Sequence, residues 1–293
     1  MRSVTERLSP YLFVAPFFVI FAAFGLFPLV YTAWVSVHEW DIAGPGAFVG
    51  LDNYVTLFGD PDFWNATYNT IGMLVLATVP QLFCALVLAS LLNQKLRGLT
   101  FLRMGVLLPI VTSVAAVGIV FSQIFDRDAG MANGLLGLLG VQPVDWHADK
   151  WSSWTAIATM VNWRWTGYNA LIYLAAMQAV PRDLYEAATV DGASKVRQFF
   201  SITVPNIRPA ILFTVIMSTI AGMQLFTEPL IFGQGGFAIS GGSLRQFQTL
   251  SMFMFEKAFR DFDYGYGSAV AWLIFVLITL LAVVNFLITR RSR

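Results

Sequence analysis

Water cannot be the main solvent of this sequence, because it carries about six apolar runs long enough to cross a bilayer. A helix rises roughly 1.5 Å per residue and bilayer hydrocarbon is about 30 Å thick, so a span needs about twenty apolar residues. Such runs fall near residues 11–37, 66–92, 104–124, 153–180, 209–232 and 265–289. A soluble core can hide one or two of them, not six. Composition agrees: 57% of the 293 residues are hydrophobic and 12% are charged, where soluble domains carry roughly 25% charged residues. The expectation is an all-α integral membrane protein with six transmembrane helices in a single membrane domain over residues 1–293.

Several function classes drop out. A formal net charge of +1 without a Lys/Arg-rich run gives nucleic acid no groove to bind. Cys84 is the only cysteine, so neither an internal disulfide nor a cysteine metal cluster can form. His38 and His147 are the only histidines, both fall in predicted outer loops, and neither H-E-x-x-H nor G-x-S-x-G occurs. Catalysis and a metal centre are therefore not expected. Arg2 and Arg7 ahead of the first run resemble a signal peptide, but the run passes Pro28 and reaches Trp34, too long for a cleaved h-region. It reads as an uncleaved first span.

Six crossings put both termini on one side, and cytoplasmic loops collect Lys and Arg. Arg2, Arg7, Lys95, Arg97, Arg103, Arg182, Lys195, Arg197, Arg208, Arg290, Arg291 and Arg293 fall on the termini and the second and fourth loops. The other side is rich in acids, among them Asp41, Asp60, Asp126, Asp149 and Asp263. Both termini are predicted to be cytoplasmic in a bacterial plasma membrane. Trp34, Trp40, Trp64, Trp146, Trp151 and Trp154 sit near the predicted outer ends, as anchors at the lipid boundary do.

The only long cytoplasmic loop runs from Pro181 to Pro209. Pro181 and Asp183 suit a helix start, Gly192 suits a turn of positive φ, and a second short helix is expected from Ala193 to Ile202, stopped by Pro205. Small alanine faces on such a pair would let another protein approach closely, although an ordinary interfacial connector has the same physics.

Within that loop Glu186-Ala187-Ala188, Gly192, Ile202 and Pro205 reproduce a specific spacing. It resembles the EAA loop of binding-protein-dependent ABC importer permeases. Asp191-Gly192-Ala193-Ser194, Phe199 and Pro209 extend the likeness to the sugar branch, similar to the maltose-type, MalF-like subunit. Trp163, Gly167, Gln178 and Pro181 before the loop also fit. Val204 stands where leucine is usual, and Gly235-Gly236 is followed by Phe237 instead of proline, which leaves the outer loop 233–264 without a family template.

The resemblance implies a type I importer permease (MetI-like) bundle and half of a solute pathway completed by a second permease subunit. It implies two cytoplasmic ATPase subunits holding ATP and Mg, and an extracytoplasmic solute-binding protein. Glu186, Ala187, Ala188, Asp191, Gly192 and Ala193 would form the coupling site. The chain has no G-x-x-x-x-G-K-[ST] loop and binds no cofactor of its own in this reading, so energy must reach it through protein contact. Other readings are a secondary transporter, which leaves the loop motif unexplained, and an importer permease for a non-sugar solute.

Polar side chains that persist inside hydrocarbon usually face the bundle interior. Asn162, Trp165, Asn169 and Tyr173 follow helical spacing on one face, joining amides to aromatic surfaces as a sugar requires. Asparagines at such positions also serve as interhelical hydrogen bonds. Gln224 and Glu228 lie beside Phe226, Thr227 and Pro229 in the fifth run. Glu228 suits either solute hydroxyls, an ion pair with Arg164, or the outer water boundary. An oligosaccharide or glycoside is the expected solute.

Overall fold

The structure is a computed structural model that describes residues 4–94, 98–233 and 235–290. Arg2, Lys95, Arg97, Arg291 and Arg293, which count toward sidedness above, lie outside them. By its internal contacts the chain divides into two units, Met1–Asp60 with Met254–Phe275, and Pro61–Phe253 with Val276–Arg293. The described residues are mostly helical, with one two-stranded hairpin.

In the first unit α1 (Val4–Phe21) and α2 (Phe27–Ser36) are joined through a π turn at Ala22–Leu26, so Tyr11–Ser36 is one apolar helix of 26 residues. Pro28 follows the turn. Proline lacks an N–H and its ring presses on the carbonyl four residues back. The wider step before it, closed by the Phe27 N–H on the Ala22 carbonyl, lets the helix continue. Strands β1 (His38–Asp41) and β2 (Gly44–Phe48) pair antiparallel. Asn53, on α3 (Asp52–Gly59), ties the hairpin to α2 by donating to the carbonyls of Ser36 (2.9 Å) and His38 (3.1 Å).

The second unit holds α4 (Pro61–Leu92), α5 (Leu99–Val111), α6 (Val114–Ile124), α7 (Met131–Leu138), α8 (Lys150–Gln178) and α9 (Arg182–Val190). It continues with α10 (Lys195–Gln198), α11 (Val204–Asn206), α12 (Arg208–Met223) and α13 (Thr227–Gly233). Helices α14 (Leu250–Phe255) and α15 (Tyr264–Arg290) follow in the chain, each with residues in both units. The main pair is α4 against α8. Small residues are buried along both, Ala66, Ala77 and Ala85 on α4, Ala156 and Ala170 on α8. In a membrane this close backbone approach replaces the hydrophobic effect as the source of helix association. Gly167 is the tightest case, since any Cβ there would collide with the Val106 carbonyl of α5.

Two predicted spans are broken. Residues 104–124 are two helices, α5 and α6, bent by 91° across an extended Thr112-Ser113 link just past Pro109. Residues 209–232 split into α12 and α13 at Gln224–Phe226. Among the described residues three helices are long and apolar enough to cross a membrane, Tyr11–Ser36, Pro61–Leu92 and Tyr264–Leu287, or up to five if two bent pairs, Leu99–Val111 with Val114–Ile124 and Lys195–Asn206 with Arg208–Met223, each count as one span. Helix α8 is long enough at 29 residues, but its Asn, Arg, Ser and Thr residues make it less apolar.

The second helix of the 181–209 loop also differs from expectation. It runs through Pro205 to Asn206, by way of a π turn at Phe199–Thr203, and bends by 69° into α12 at Ile207. Here too the proline lies two residues beyond a π turn. Trp146 and Trp154 are core residues, not boundary anchors, and Trp154 donates its indole N–H to the Gln246 carbonyl at 3.0 Å. Trp34, Trp64 and Trp151 are exposed as anchors would be.

Candidate solute cavity and coupling helix

The cavity begins with a proline. Pro229 in the first turn of α13 has no N–H for the Leu225 carbonyl, and the chain leaves helical geometry at Gln224–Phe226, between α12 and α13. The freed carbonyl accepts the Thr249 hydroxyl at 2.6 Å, and Leu230 N–H bonds the Phe226 carbonyl at 3.1 Å to restart the helix. This break turns Gln224, Thr227 and Glu228 toward a cavity of about 380 Å³ bounded also by α4, α8 and α12.

Its wall joins apolar and polar groups. Trp165, Tyr168 and Asn169 come from α8, Gln81 from α4 and Ser218 from α12. Asn169 Nδ2 is buried and has no hydrogen-bond partner among the described residues. A buried amide donor at a cavity wall is poised for an incoming acceptor, since buried polar groups are otherwise paired. The Glu228 carboxylate accepts Arg164 Nη1 at 2.7 Å, and the two side chains are 10% and 12% exposed. Arg164 is not itself part of the lining, and it neutralises the one carboxylate, Glu228, that is.

Of the residues singled out from the sequence, Trp165, Asn169, Gln224 and Glu228 line this cavity. Asn162 lies outside the lining and donates to the Ala158 carbonyl one turn back, at 2.9 Å. Tyr173 is buried with its hydroxyl against that of Thr214 on α12. Helical spacing gives azimuth, not what stands opposite at each depth. Gln81, Tyr168 and Ser218 were not singled out. Gln81 carried a usable signal, an amide inside the apolar run of α4.

The 181–209 loop is built from helix-end chemistry. Helix α9 ends in a Schellman motif, with Ala193 N–H on the Ala188 carbonyl (2.8 Å) and Gly192 N–H on that of Thr189 (3.0 Å). The motif needs a left-handed residue, and Gly192 supplies it at φ +77°. Ser194 caps α10 by accepting Arg197 N–H at 3.3 Å. Gln198 Nε2 donates to the Thr189 hydroxyl and the Ala193 carbonyl, both at 3.0 Å, locking the two helices together. Tyr185, Phe199 and Ile202 anchor the pair on the buried Ala85–Met177 cluster. Glu186, Ala187, Asp191 and Gly192 are exposed, and Ala188 and Ala193 half-buried.

An apolar helical protein with a balanced, amide-lined cavity and a rigid exposed helix pair is a membrane permease in class. The chain belongs to the family of binding-protein-dependent transport system inner membrane components, whose model matches residues 4–293. Members are transport components, not enzymes. The lactose transport system permease protein LacF of Rhizobium radiobacter is 35% identical over 302 residues, covering 100% of this chain and 98% of that one. The sn-glycerol-3-phosphate permease protein UgpA of Escherichia coli is 32% identical over 284 residues, covering 96% and 94%. A chain from the crystal structure of a bacterial alginate ABC transporter, in complex with alginate pentasaccharide-bound periplasmic protein, shares the fold. Its TM-score is 0.84 at 19% identity, over 99% of this chain and 98% of that one.

Proposed function

We propose that this chain is one of two membrane subunits of an ATP-driven carbohydrate importer in a bacterial plasma membrane, crossing six times with both termini cytoplasmic. The cavity holds solute during passage, and the Glu186–Ala193 segment docks on one of two ATPase subunits, which bind the ATP and Mg. A solute-binding protein outside delivers the sugar. The observation that carries the solute reading is the unpartnered Asn169 amide beside Trp165. An amide donor next to an aromatic face suits a sugar hydroxyl next to its ring. The LacF relative, named for a disaccharide, supports it.

Co-expression with its chromosomal neighbours tests the assembly. An ATPase and a second permease are expected to co-elute with the wild-type chain, and Glu186→Ala with Gly192→Trp to release the ATPase. A stable lone subunit that moves solute without ATP would make the protein a secondary transporter. The UgpA relative motivates a non-sugar alternative, an organic phosphate, but a wall whose lining includes a carboxylate, Glu228, and no cation offers such an anion little.

A further inference from the structure

Between Asp128 and Asp145 the chain has no charged residue. This stretch forms α7 and its flanks, and its base is clipped shut. Arg127 Nη1 bonds the Asp145 carboxylate at 3.3 Å, and Asn133 donates to the carbonyls of Arg127 (2.9 Å) and Val144 (2.8 Å) while accepting Val144 N–H (3.0 Å). One face of α7 packs inward through Ala132 and Leu136. The adjoining face presents Met131, Leu135, Leu138 and Leu139 at helical spacing, 60%, 58%, 83% and 79% exposed.

We propose that α7 is an interfacial helix whose exposed face lies in the acyl chains of the bilayer, with the Asp126–Asp128 and Asp145 neck in the headgroup water. The charge pattern selects lipid over a protein neighbour. A reversible protein contact carries a polar rim around its apolar centre. Here the face has none, because glycines at 134 and 137 flank it and every charge is withdrawn to the neck. An apolar patch of this kind in water is a liability that membrane insertion removes. The lobe thereby fixes the depth of the α6–α8 connection in the membrane.

The test attaches an environment-sensitive fluorophore to Leu138→Cys, and separately to Leu135→Cys, in a Cys84→Ser background of the full chain in lipid bilayers. Both probes are expected to be quenched by lipids brominated on their acyl chains and spared by aqueous iodide, with Asp128→Cys showing the reverse. Iodide quenching at Leu138 equal to that at Asp128 overturns the assignment. So does shielding from both quenchers, which would give the face to a protein neighbour. Should one variant fail to insert, the other decides.

Discussion

Arg164 and Glu228 stand 2.7 Å apart with little solvent around either, so removing one leaves the other buried without its counter-ion. Glu228→Gln should destabilise the fold by about 3 kcal/mol, because it leaves an uncompensated guanidinium, and Arg164→Met should do likewise. The double variant should recover most of the loss, read as non-additivity of thermal unfolding in detergent. Single variants no less stable than the double would mean the charges are not coupled. Two polar residues on the same helix separate in role. Asn169→Ala should raise half-saturation for sugar uptake about tenfold, the loss of one net hydrogen bond. Tyr173→Phe, losing only its Thr214 contact, should lower stability and leave half-saturation unchanged. Equal kinetic effects would contradict that division. The site was legible in part: polarity inside an apolar run pointed to Trp165, Asn169, Gln224 and Glu228. Depth and opposing neighbours, which decide that Tyr173 meets Thr214 and Gln81 meets the cavity, leave no trace in spacing along one helix.

At the scale of elements, prolines and glycines mark where helices change, but not how. Pro229 stands in the first turn of a new helix, α13, and does not kink a continuous one, with Thr249 in place to satisfy the abandoned Leu225 carbonyl. Thr249 also accepts Met252 N–H at 3.2 Å at the start of α14. Thr249→Val, nearly unchanged in volume, should therefore cost about 2 kcal/mol in thermal unfolding. A cost near zero would show the carbonyl satisfied some other way. Pro205 was expected to stop a helix that in fact passes through it, since the π turn of Phe199–Thr203 depends on hydrogen-bond register that no propensity encodes. Gly192 was legible because the requirement is local: a positive φ strains any L side chain by roughly 1–2 kcal/mol, and asparagine least. No atom lies within 4 Å of a Cβ at that position, so backbone strain alone acts there before a partner arrives. Gly192→Asn should keep ATPase co-elution and Gly192→Val should weaken it. Equal retention would place the coupling contact elsewhere in the loop.

Under the proposed function the whole molecule couples two distant things, a cavity in the membrane and an ATPase on a separate chain. The mechanical path available within the second unit is short. The coupling pair is locked to itself through Gln198 and bends at Ile207 straight into α12, whose Ser218 and Gly222 reach the cavity wall. Movement of the pair as a rigid body would therefore move the wall without an intermediary. That logic requires the pair to be cytoplasmic, where ATP is. The charges agree, with Arg182, Lys195, Arg197 and Arg208 around the pair. Sidedness is then a direct test. In a Cys84→Ser background, Val190→Cys, 88% exposed on α9, should resist a membrane-impermeant thiol reagent on intact cells and react once they are permeabilised. Asp263→Cys in the acid-rich loop before α15 should react in intact cells. The reverse pattern would put the coupling pair outside, where no ATPase could reach it, and with it would go the importer mechanism.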